Sequence, residues 1–149
     1  MPIAIKDSTI DITSEKSTKE LAKEFTKYLK GGEFVFLYGE MGVGKTTFVK
    51  YFINEYQKIN NLTQSEITSP TFSLLNEYQV KDIRIKHYDL FRINRKEDIN
   101  NLNIFEKDNK LITIIEWPQL IADKQDIKFI TLKFNYINQL NDRTVDIKV

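Results

Sequence analysis

The feature that most constrains this chain is a glycine-rich loop at residues 39–46, which reads Gly-Glu-Met-Gly-Val-Gly-Lys-Thr. The loop matches the pattern G-x-x-x-x-G-K-[ST] at every required position. Residues 33–38 before it are almost wholly apolar and β-prone, and residues 45–58 after it carry apolar side chains at helical spacing. We therefore predict a phosphate-binding loop between a buried strand and the start of a helix, where backbone amides converge on an anion.

Each residue type in the loop has a physical reason. Gly39 leaves the strand in a conformation that other side chains resist, and further glycines let the backbone close around phosphate oxygens. Lys45 is predicted to bring its ammonium to the β- and γ-phosphates, and Thr46 to supply a hydroxyl ligand for Mg²⁺. The alternative is a chance glycine turn, which motif and context together disfavour. The predicted nucleotide-binding residues are Gly39, Glu40, Met41, Gly42, Val43, Gly44, Lys45, Thr46 and Thr47.

Two acidic residues follow or end apolar segments that are predicted to be strands. Glu116 follows residues 111–115, and Asp89 lies near the end of residues 83–90. Ligands of open α/β sheets bind outside the carboxyl ends of the parallel strands, and phosphoryl transfer needs carboxylates near the metal. We predict Glu116, Asp89 and Lys45 as catalytic residues and Thr46, Glu116 and Asp89 as metal ligands. Glu116 could instead be an exposed carboxylate leaving the sheet, and Asp89 a turn residue or a partner of Arg92.

Three further residues have weaker signals. Thr71 follows a polar loop at residues 60–70, which is long by usual standards and therefore suspected of function. Its hydroxyl could meet Mg²⁺ or the γ-phosphate and switch with it, although a turn leading into a strand is an equal alternative. Trp117 is predicted to be core or pocket wall. His87, the single histidine, is predicted to be a packed or surface residue rather than a catalytic one.

The remaining pattern predicts a single three-layer α/β domain over residues 1–149, with parallel strands beside the loop and antiparallel pairs elsewhere in a mixed sheet. Ser14 or Ser17 can cap the first helix, because Ser17 and Glu20 have the capping-box spacing. A short helix is predicted at residues 95–102 and a helical turn at residues 118–121. The predicted strands are residues 9–13, 33–38, 72–80, 83–90, 111–115, 127–136 and 144–149, with a turn at residues 138–142.

Composition excludes several classes of function. The chain has no cysteine, so it has no disulfide and no thiolate metal site. A net charge of +1 gives no basic field for nucleic acid. No apolar run approaches the roughly 20 residues of a membrane helix, and the first residues do not resemble a signal peptide, so we expect a cytoplasmic protein. Arginine occurs only at Arg84, Arg92, Arg95 and Arg143, which leaves few phosphate clamps outside the loop.

Four segments occur in an order that resembles the bacterial TsaE (YjeE) family. They are Gly-Glu-Met-Gly-Val-Gly-Lys-Thr-Thr at 39–47, Ser-Pro-Thr-Phe-Ser-Leu at 69–74, His-Tyr-Asp-Leu-Phe-Arg at 87–92 and Ile-Ile-Glu-Trp-Pro at 114–118. Many families share the first segment, and the other three at these spacings single out this one. The departures are Glu40 where aspartate is commoner, Phe91 where tyrosine is commoner, and Gln119 after the proline.

The resemblance implies a P-loop ATPase of tRNA threonylcarbamoyladenosine synthesis that uses ATP and Mg²⁺. The family acts with the TsaB–TsaD heterodimer, which transfers threonylcarbamoyl to the adenosine next to the anticodon of tRNAs that read ANN codons. TsaE does not perform that transfer, and its ATP hydrolysis supports repeated turnover. Contact with tRNA would be indirect, and the isolated chain is expected to be a monomer. By resemblance, the phosphate site includes Lys45 and Thr46, the acidic positions are Asp89 and Glu116, and Thr71 and Trp117 lie in matching segments.

Other functions remain open at this point. A small-molecule kinase shares the same loop but usually needs several arginines in an acceptor site and a closing lid, and only Arg92 and Arg95 are candidates. A regulatory GTPase commonly selects guanine with an N-K-x-D element, which is lacking here in a suitable position. A non-enzymatic nucleotide-binding module is also possible. Because arginine forks are scarce, we expect weak hydrolysis by the chain alone.

Overall fold

The computed structural model describes residues 5–124, 126–138 and 141–149. These residues form strands β1 to β7, helices α1 and α2, and two short 3₁₀ helices, named the first and the second 3₁₀ helix in chain order. In chain order, the described elements are β1 Ser8–Asp11, α1 Glu15–Tyr28, β2 Phe34–Tyr38, α2 Lys45–Ile59, β3 Leu75–Val80, β4 Ile83–Asp89, the first 3₁₀ helix Lys96–Leu102, β5 Leu111–Glu116, the second 3₁₀ helix Pro118–Leu120, β6 Phe129–Tyr136 and β7 Arg143–Lys148.

The strands form one mixed sheet in the order β1-β7-β6-β2-β5-β4-β3. The four central strands β6, β2, β5 and β4 are parallel to one another. At the two edges, β3 pairs antiparallel with β4, β7 with β6, and β1 with β7. This arrangement confirms the predicted mixed α/β sheet with parallel strands beside the loop. In register, Glu116 lies opposite Leu37 on one side and Asp89 on the other. The two acidic residues therefore end adjacent strands at the same edge.

The central strands are buried because the sheet is covered on both faces. All of β5 and most of β2 are buried, as expected for parallel strands that read as continuous apolar runs. Helices α1 and α2 pack on one face, where the rings of Phe25 and Phe48 meet edge to face at 5.4 Å. The opposite face packs Phe36, Tyr88 and Ile115 against residues of the two 3₁₀ helices. The third layer thus consists of short 3₁₀ helices and loops.

The two long helices begin in different ways. Ser14 caps α1, since its hydroxyl accepts a hydrogen bond from the Ser17 amide at 3.2 Å. Ser14 is therefore the cap, and the Ser17 hydroxyl lies 2.9 Å from it. Helix α2 begins after Gly44, which has no side chain to cap it. The first amides of α2 are consequently available to an anion.

Some boundaries differ from the prediction. The strand predicted from residue 72 begins at Leu75, because residues 71–73 form a turn that the Leu74 amide closes by donating to the Pro70 carbonyl at 2.7 Å. Leu74 has a φ of 69°, which a strand does not allow. Residues 139 and 140 of the predicted 138–142 turn lie outside the described residues, although the Ile137 amide donates to the Asp142 carbonyl at 2.8 Å.

In the described part of the chain, no helix has the length and apolar character that a membrane crossing requires.

Candidate nucleotide-binding and active site

The turn from β2 into α2 depends on glycine at two positions. Gly39 has a φ of 144°, and a Cβ there would lie 2.8 Å from the Val43 Cγ1 atom and 2.9 Å from the Phe134 carbonyl oxygen. Gly44, the cap of α2, has a φ of 118°. Val43 between them is fully buried and anchors the loop to the core. The loop therefore curls around its own amides instead of running on as a strand.

Lys45 is held inside the loop, with only 4% of its surface exposed. Its Nζ atom donates to the Gly39 carbonyl and lies 3.7 Å from the centre of the Trp117 ring. Burial lowers the pKa of Lys45, and the nearby carboxylates of Glu116 and Asp89 act in the opposite direction. The site thus keeps a partly desolvated ammonium group close to two acidic side chains.

Glu116 is buried at the end of β5, with 2% of its surface exposed. The Thr46 hydroxyl donates to its two carboxylate oxygens at 3.1 and 3.2 Å. The Nε2 atom of His87 lies 2.5 Å from Oε2 of the same carboxylate. The structure therefore places Glu116 facing the loop, and the alternative of an exposed carboxylate leaving the sheet is excluded.

Asp89 ends β4 and holds the residues that precede β3. Its Oδ2 atom accepts hydrogen bonds from the Ser69 hydroxyl at 2.8 Å and the Thr71 hydroxyl at 3.2 Å. Its Oδ1 atom accepts from the Phe91 amide at 3.0 Å, which is the turn-forming contact considered from sequence. Asp89 therefore ties the loop before β3 to the edge of the sheet.

Trp117 forms one wall of the site from an unusual backbone conformation. With φ 58° and ψ 58°, it lies in the left-handed region, which is uncommon for a bulky residue. Its amide donates to the Leu37 carbonyl at 3.3 Å, and its ring lies 4.8 Å from that of Phe91. This conformation turns the chain sharply after Glu116 and lays the indole over Lys45. The prediction of a pocket wall is in agreement with this position.

These groups share one cavity of about 210 Å³. It contains every predicted catalytic and metal-binding residue, together with Thr71 and Trp117. Three of the predicted loop residues, Gly39, Glu40 and Val43, are not among the described residues that line this cavity. Gly39 and Val43 instead pack on the core side of the turn. The lining residues are Met41, Gly42, Gly44, Lys45, Thr46, Thr47, Ser69, Thr71, Asp89, Phe91, Glu116 and Trp117.

The oxygen atoms in this cavity suit a magnesium ion that is shared with a phosphate ligand. Thr46, Glu116 and Asp89 supply hydroxyl and carboxylate oxygens, which Mg²⁺ prefers. Among the described residues, no cluster of three or more histidine, cysteine, aspartate or glutamate side chains could hold a metal by itself. Mg²⁺ commonly keeps several waters and is bound by one or two carboxylates plus substrate phosphates. The site fits that pattern and not an all-protein metal cage.

The sequence assigns no role in the site to two residues that the structure places against its carboxylates. Ser69 lies in the segment 69–74, and its hydroxyl donates to Asp89 Oδ2 at 2.8 Å. His87 was predicted to be packed or on the surface, and it is fully buried against Glu116. The available signal was its spacing, because a residue two before Asp89 lies on the same face of a strand. Using that signal requires knowing that β4 and β5 are neighbours.

Comparisons with known proteins agree with one another. The family described as "Threonylcarbamoyl adenosine biosynthesis protein TsaE" matches residues 12–145. A protein from Rickettsia typhi named "tRNA threonylcarbamoyladenosine biosynthesis protein TsaE" is 39% identical over 110 residues, covering 74% of each chain. Proteins of the same name from Borreliella burgdorferi and Bacillus subtilis are 33% and 31% identical, covering 83% and 73% of this chain and 90% and 65% of their own.

The fold has a counterpart among solved structures. The crystal structure of Bacillus subtilis YdiB superposes with a TM-score of 0.71, covering 97% of this chain and 86% of that one. The two sequences are 21% identical in this superposition, so the likeness is one of fold.

Proposed function

This chain belongs to the threonylcarbamoyl adenosine biosynthesis protein TsaE family, and from that premise we propose that it is an ATP-hydrolysing subunit in that modification of tRNA. In this proposal, the chain binds ATP with Mg²⁺ and acts with the TsaB–TsaD heterodimer. Modification takes place at the adenosine next to the anticodon, and this chain reaches the tRNA only through the complex. The proposal includes a cytoplasmic location and a monomeric state when the chain is isolated.

One observation carries the proposal: the phosphate-loop lysine and threonine and both strand-ending carboxylates line the same cavity. A glycine loop alone supports binding and says nothing about turnover. Here the first amides of α2 and the Lys45 ammonium can receive a polyphosphate. Glu116 and Asp89 stand beside them at the ends of β5 and β4. This combination favours a hydrolytic function over the alternative of a module that only binds nucleotide.

The roles of the two carboxylates follow from their partners. Glu116 is hydrogen-bonded to Thr46, so we assign this pair to the magnesium side of the site. When bound, Mg²⁺ would neutralise charge on the β- and γ-phosphate oxygens. Glu116 would also orient the water that attacks the γ-phosphorus, with release of ADP and phosphate. Lys45 would stabilise the negative charge of the transferred group.

Asp89 would couple ligand binding at the site to the position of the loop at residues 60–71. Its carboxylate holds Ser69 and Thr71, whose hydroxyls line the cavity. A triphosphate with Mg²⁺ would compete for these hydroxyls or for Asp89 and so change the position of residues 60–71. Order and disorder of such a segment with the γ-phosphate is a known switching mode of phosphate-loop proteins. Hydrolysis would then reverse the change and weaken partner contacts.

Arg92 and Arg95, the two candidates for an acceptor site, favour partner-dependent hydrolysis over a small-molecule kinase. The Arg92 guanidinium lies over the Phe72 ring, 4.6 Å from its centre, and Arg95 pairs with Asp98 at 3.3 Å. Neither residue lines the cavity in the described part of the chain. An acceptor site with its own arginine clamp is therefore not supported. We expect partner surfaces to complete the charge compensation that rapid hydrolysis needs.

The proposal is tested by measuring ATP hydrolysis by the wild type and Glu116→Ala, each alone and with TsaB, TsaD and tRNA. We expect slow hydrolysis by the wild type, stimulation by the complex, and a loss of at least about 10²-fold in Glu116→Ala. Rapid hydrolysis by the isolated wild type that TsaB and TsaD leave unchanged would contradict the partner-dependent part. Unchanged turnover in Glu116→Ala would contradict the assigned role of this carboxylate.

A further inference from the structure

We propose that His87 is a positioning residue, which fixes the carboxylate of Glu116 by donating a hydrogen bond from Nε2. The proposal rests on the proposed function, because it concerns how Glu116 is held for binding Mg²⁺ and orienting water. It assigns a role to a side chain that does not line the cavity in the described part of the chain. His87 would therefore act through Glu116 and not by touching the substrate.

The geometry places the imidazole behind the carboxylate. His87 lies in β4 opposite Ile114 of β5, and Glu116 lies two residues further along β5 on the same face. The Nε2 atom is 2.5 Å from Oε2 of Glu116, and the imidazole is fully buried. Thr46, at the start of α2, donates to the same carboxylate. Glu116 is thus held between one donor from the sheet and one from the loop.

The second ring nitrogen indicates where the proton is. The Nδ1 atom of His87 is buried and has no hydrogen-bond partner among the described residues. A buried N–H group without an acceptor is costly, whereas a proton on Nε2 has the Glu116 carboxylate as its acceptor. The ring is therefore assigned as the tautomer with hydrogen on Nε2. Nδ1 as the unprotonated nitrogen leaves no donor unsatisfied.

The need for such a donor follows from the duties of Thr46. In the described part of the chain, the hydrogen bonds of the Glu116 side chain come from Thr46 and His87. Thr46 is also the residue proposed to provide a hydroxyl to Mg²⁺, so its position changes with the ligand. His87 belongs to the sheet and contacts no proposed ligand, so it can hold Glu116 in either state. Partners behind a metal-binding group typically change metal affinity or activity by 10- to 100-fold when removed.

The matched variants are His87→Gln and His87→Asn. The amide nitrogen of glutamine can reach about the position of imidazole Nε2, whereas that of asparagine reaches only the position of Nδ1. We expect His87→Gln to keep most of the kcat of the wild type with TsaB–TsaD and its magnesium requirement. His87→Asn should lower kcat by about 10- to 100-fold and raise the Mg²⁺ concentration for half-maximal rate. ATP affinity measured calorimetrically in EDTA should stay within about twofold in both, since the phosphate loop is unchanged.

A spectroscopic measurement on the wild type tests the contact without any activity. Because the chain has one histidine, long-range ¹H–¹⁵N spectra of tag-free protein report His87 alone. We expect the Nε2–H tautomer and a changed Nε2 shift in Glu116→Gln. A ring protonated only at Nδ1, equal losses in both His87 variants, or full activity of His87→Asn would overturn the proposal. If the wild type hydrolysed no ATP under any condition, the proposed function would fail, and the spectra would still decide whether His87 donates to Glu116.

Discussion

At the scale of single residues, the site concentrates charge where a protein interior does not favour it. Lys45, Glu116 and Asp89 are all buried at the carboxyl edge of the sheet. Such groups cost folding free energy unless they are well paired. In the proposed function, the phosphates and Mg²⁺ would supply the missing partners. Burial is the main cause that lowers the pKa of Lys45 in the folded state. We therefore expect binding of the proposed ligand to stabilise the fold.

This cost can be measured in Lys45→Met, which keeps a chain of similar length without the charge. Because the folded pKa of Lys45 lies below its unfolded value of 10.5, the unfolded state binds more protons between the two values. The free energy of unfolding of the wild type should therefore increase relative to that of the variant as the pH rises between these two pKa values. We expect Lys45→Met to have the higher free energy of unfolding at pH 7, with the gap narrowing toward pH 10.5. Urea denaturation across this pH range, without nucleotide, measures it, and a gap that widens would contradict the burial argument.

At the scale of elements, the junction of β2 and α2 determines whether the site exists. Gly39 and Gly42 both have positive φ, at 144° and 81°, but they differ in the space around them. A Cβ on Gly39 would meet Val43 and Phe134 at 2.8 and 2.9 Å, whereas one on Gly42 would meet only the Tyr136 hydroxyl at 3.8 Å. The first position therefore combines backbone strain with a steric clash, and the second has backbone strain alone.

We expect Gly39→Ala to lower the free energy of unfolding by about 3 kcal/mol or more, since strain and overpacking add. Gly42→Ala, the matched control, should cost about 1 kcal/mol from its positive φ. Chemical denaturation of both variants beside the wild type measures the difference. Equal losses at the two positions would mean that the clash at Gly39 is relieved by a shift of the Phe134 backbone or the Val43 side chain.

How much of the site could be predicted depended on whether a signal was local. The glycine loop is one continuous segment, and Glu116 directly follows an apolar run, so local patterns pointed to both. The structure places both at one cavity. The contact of His87 with Glu116 depends on the pairing of β4 with β5, which no local pattern encodes. Ser69 lies beside Asp89 across the turn that precedes β3, which ends at Leu74 in the left-handed conformation. A non-glycine residue gives little sign of that conformation in advance.

At the scale of the whole molecule, apolar side chains are exposed around the mouth of the site. Phe72 has 84% of its surface exposed and Met41 has 65%. Met41 lines the cavity, and Phe72 is next in the chain to Thr71, which also lines it. Phe72 follows Thr71, whose hydroxyl binds Asp89. A partner that covers this mouth would bury these side chains and sense the position of the loop. This arrangement supports a hydrolysis cycle that is coupled to partner contact.

Phe72→Ser tests this coupling. Because the ring is exposed, the free energy of unfolding should change by less than about 0.5–1 kcal/mol, even with loss of the contact to Arg92. Hydrolysis by the isolated chain should be unchanged. The TsaB–TsaD concentration that gives half-maximal stimulation should rise at least about tenfold, as expected when an aromatic anchor of an interface is truncated. Ile59→Ser, at the other end of α2 and also exposed, is the control and should keep full stimulation. Equal stimulation of Phe72→Ser and the wild type would exclude this face as a partner contact.

The central claim is that the loop at residues 39–46 receives the phosphates of a magnesium-bound nucleoside triphosphate. The most direct test is isothermal titration calorimetry of Mg–ATP into the wild type and Lys45→Ala. We predict saturable binding by the wild type and a loss of roughly 2–5 kcal/mol of binding free energy in Lys45→Ala, because a buried charge partner of the polyphosphate is removed. The same affinity in both proteins would contradict the assignment of this loop as the nucleotide site.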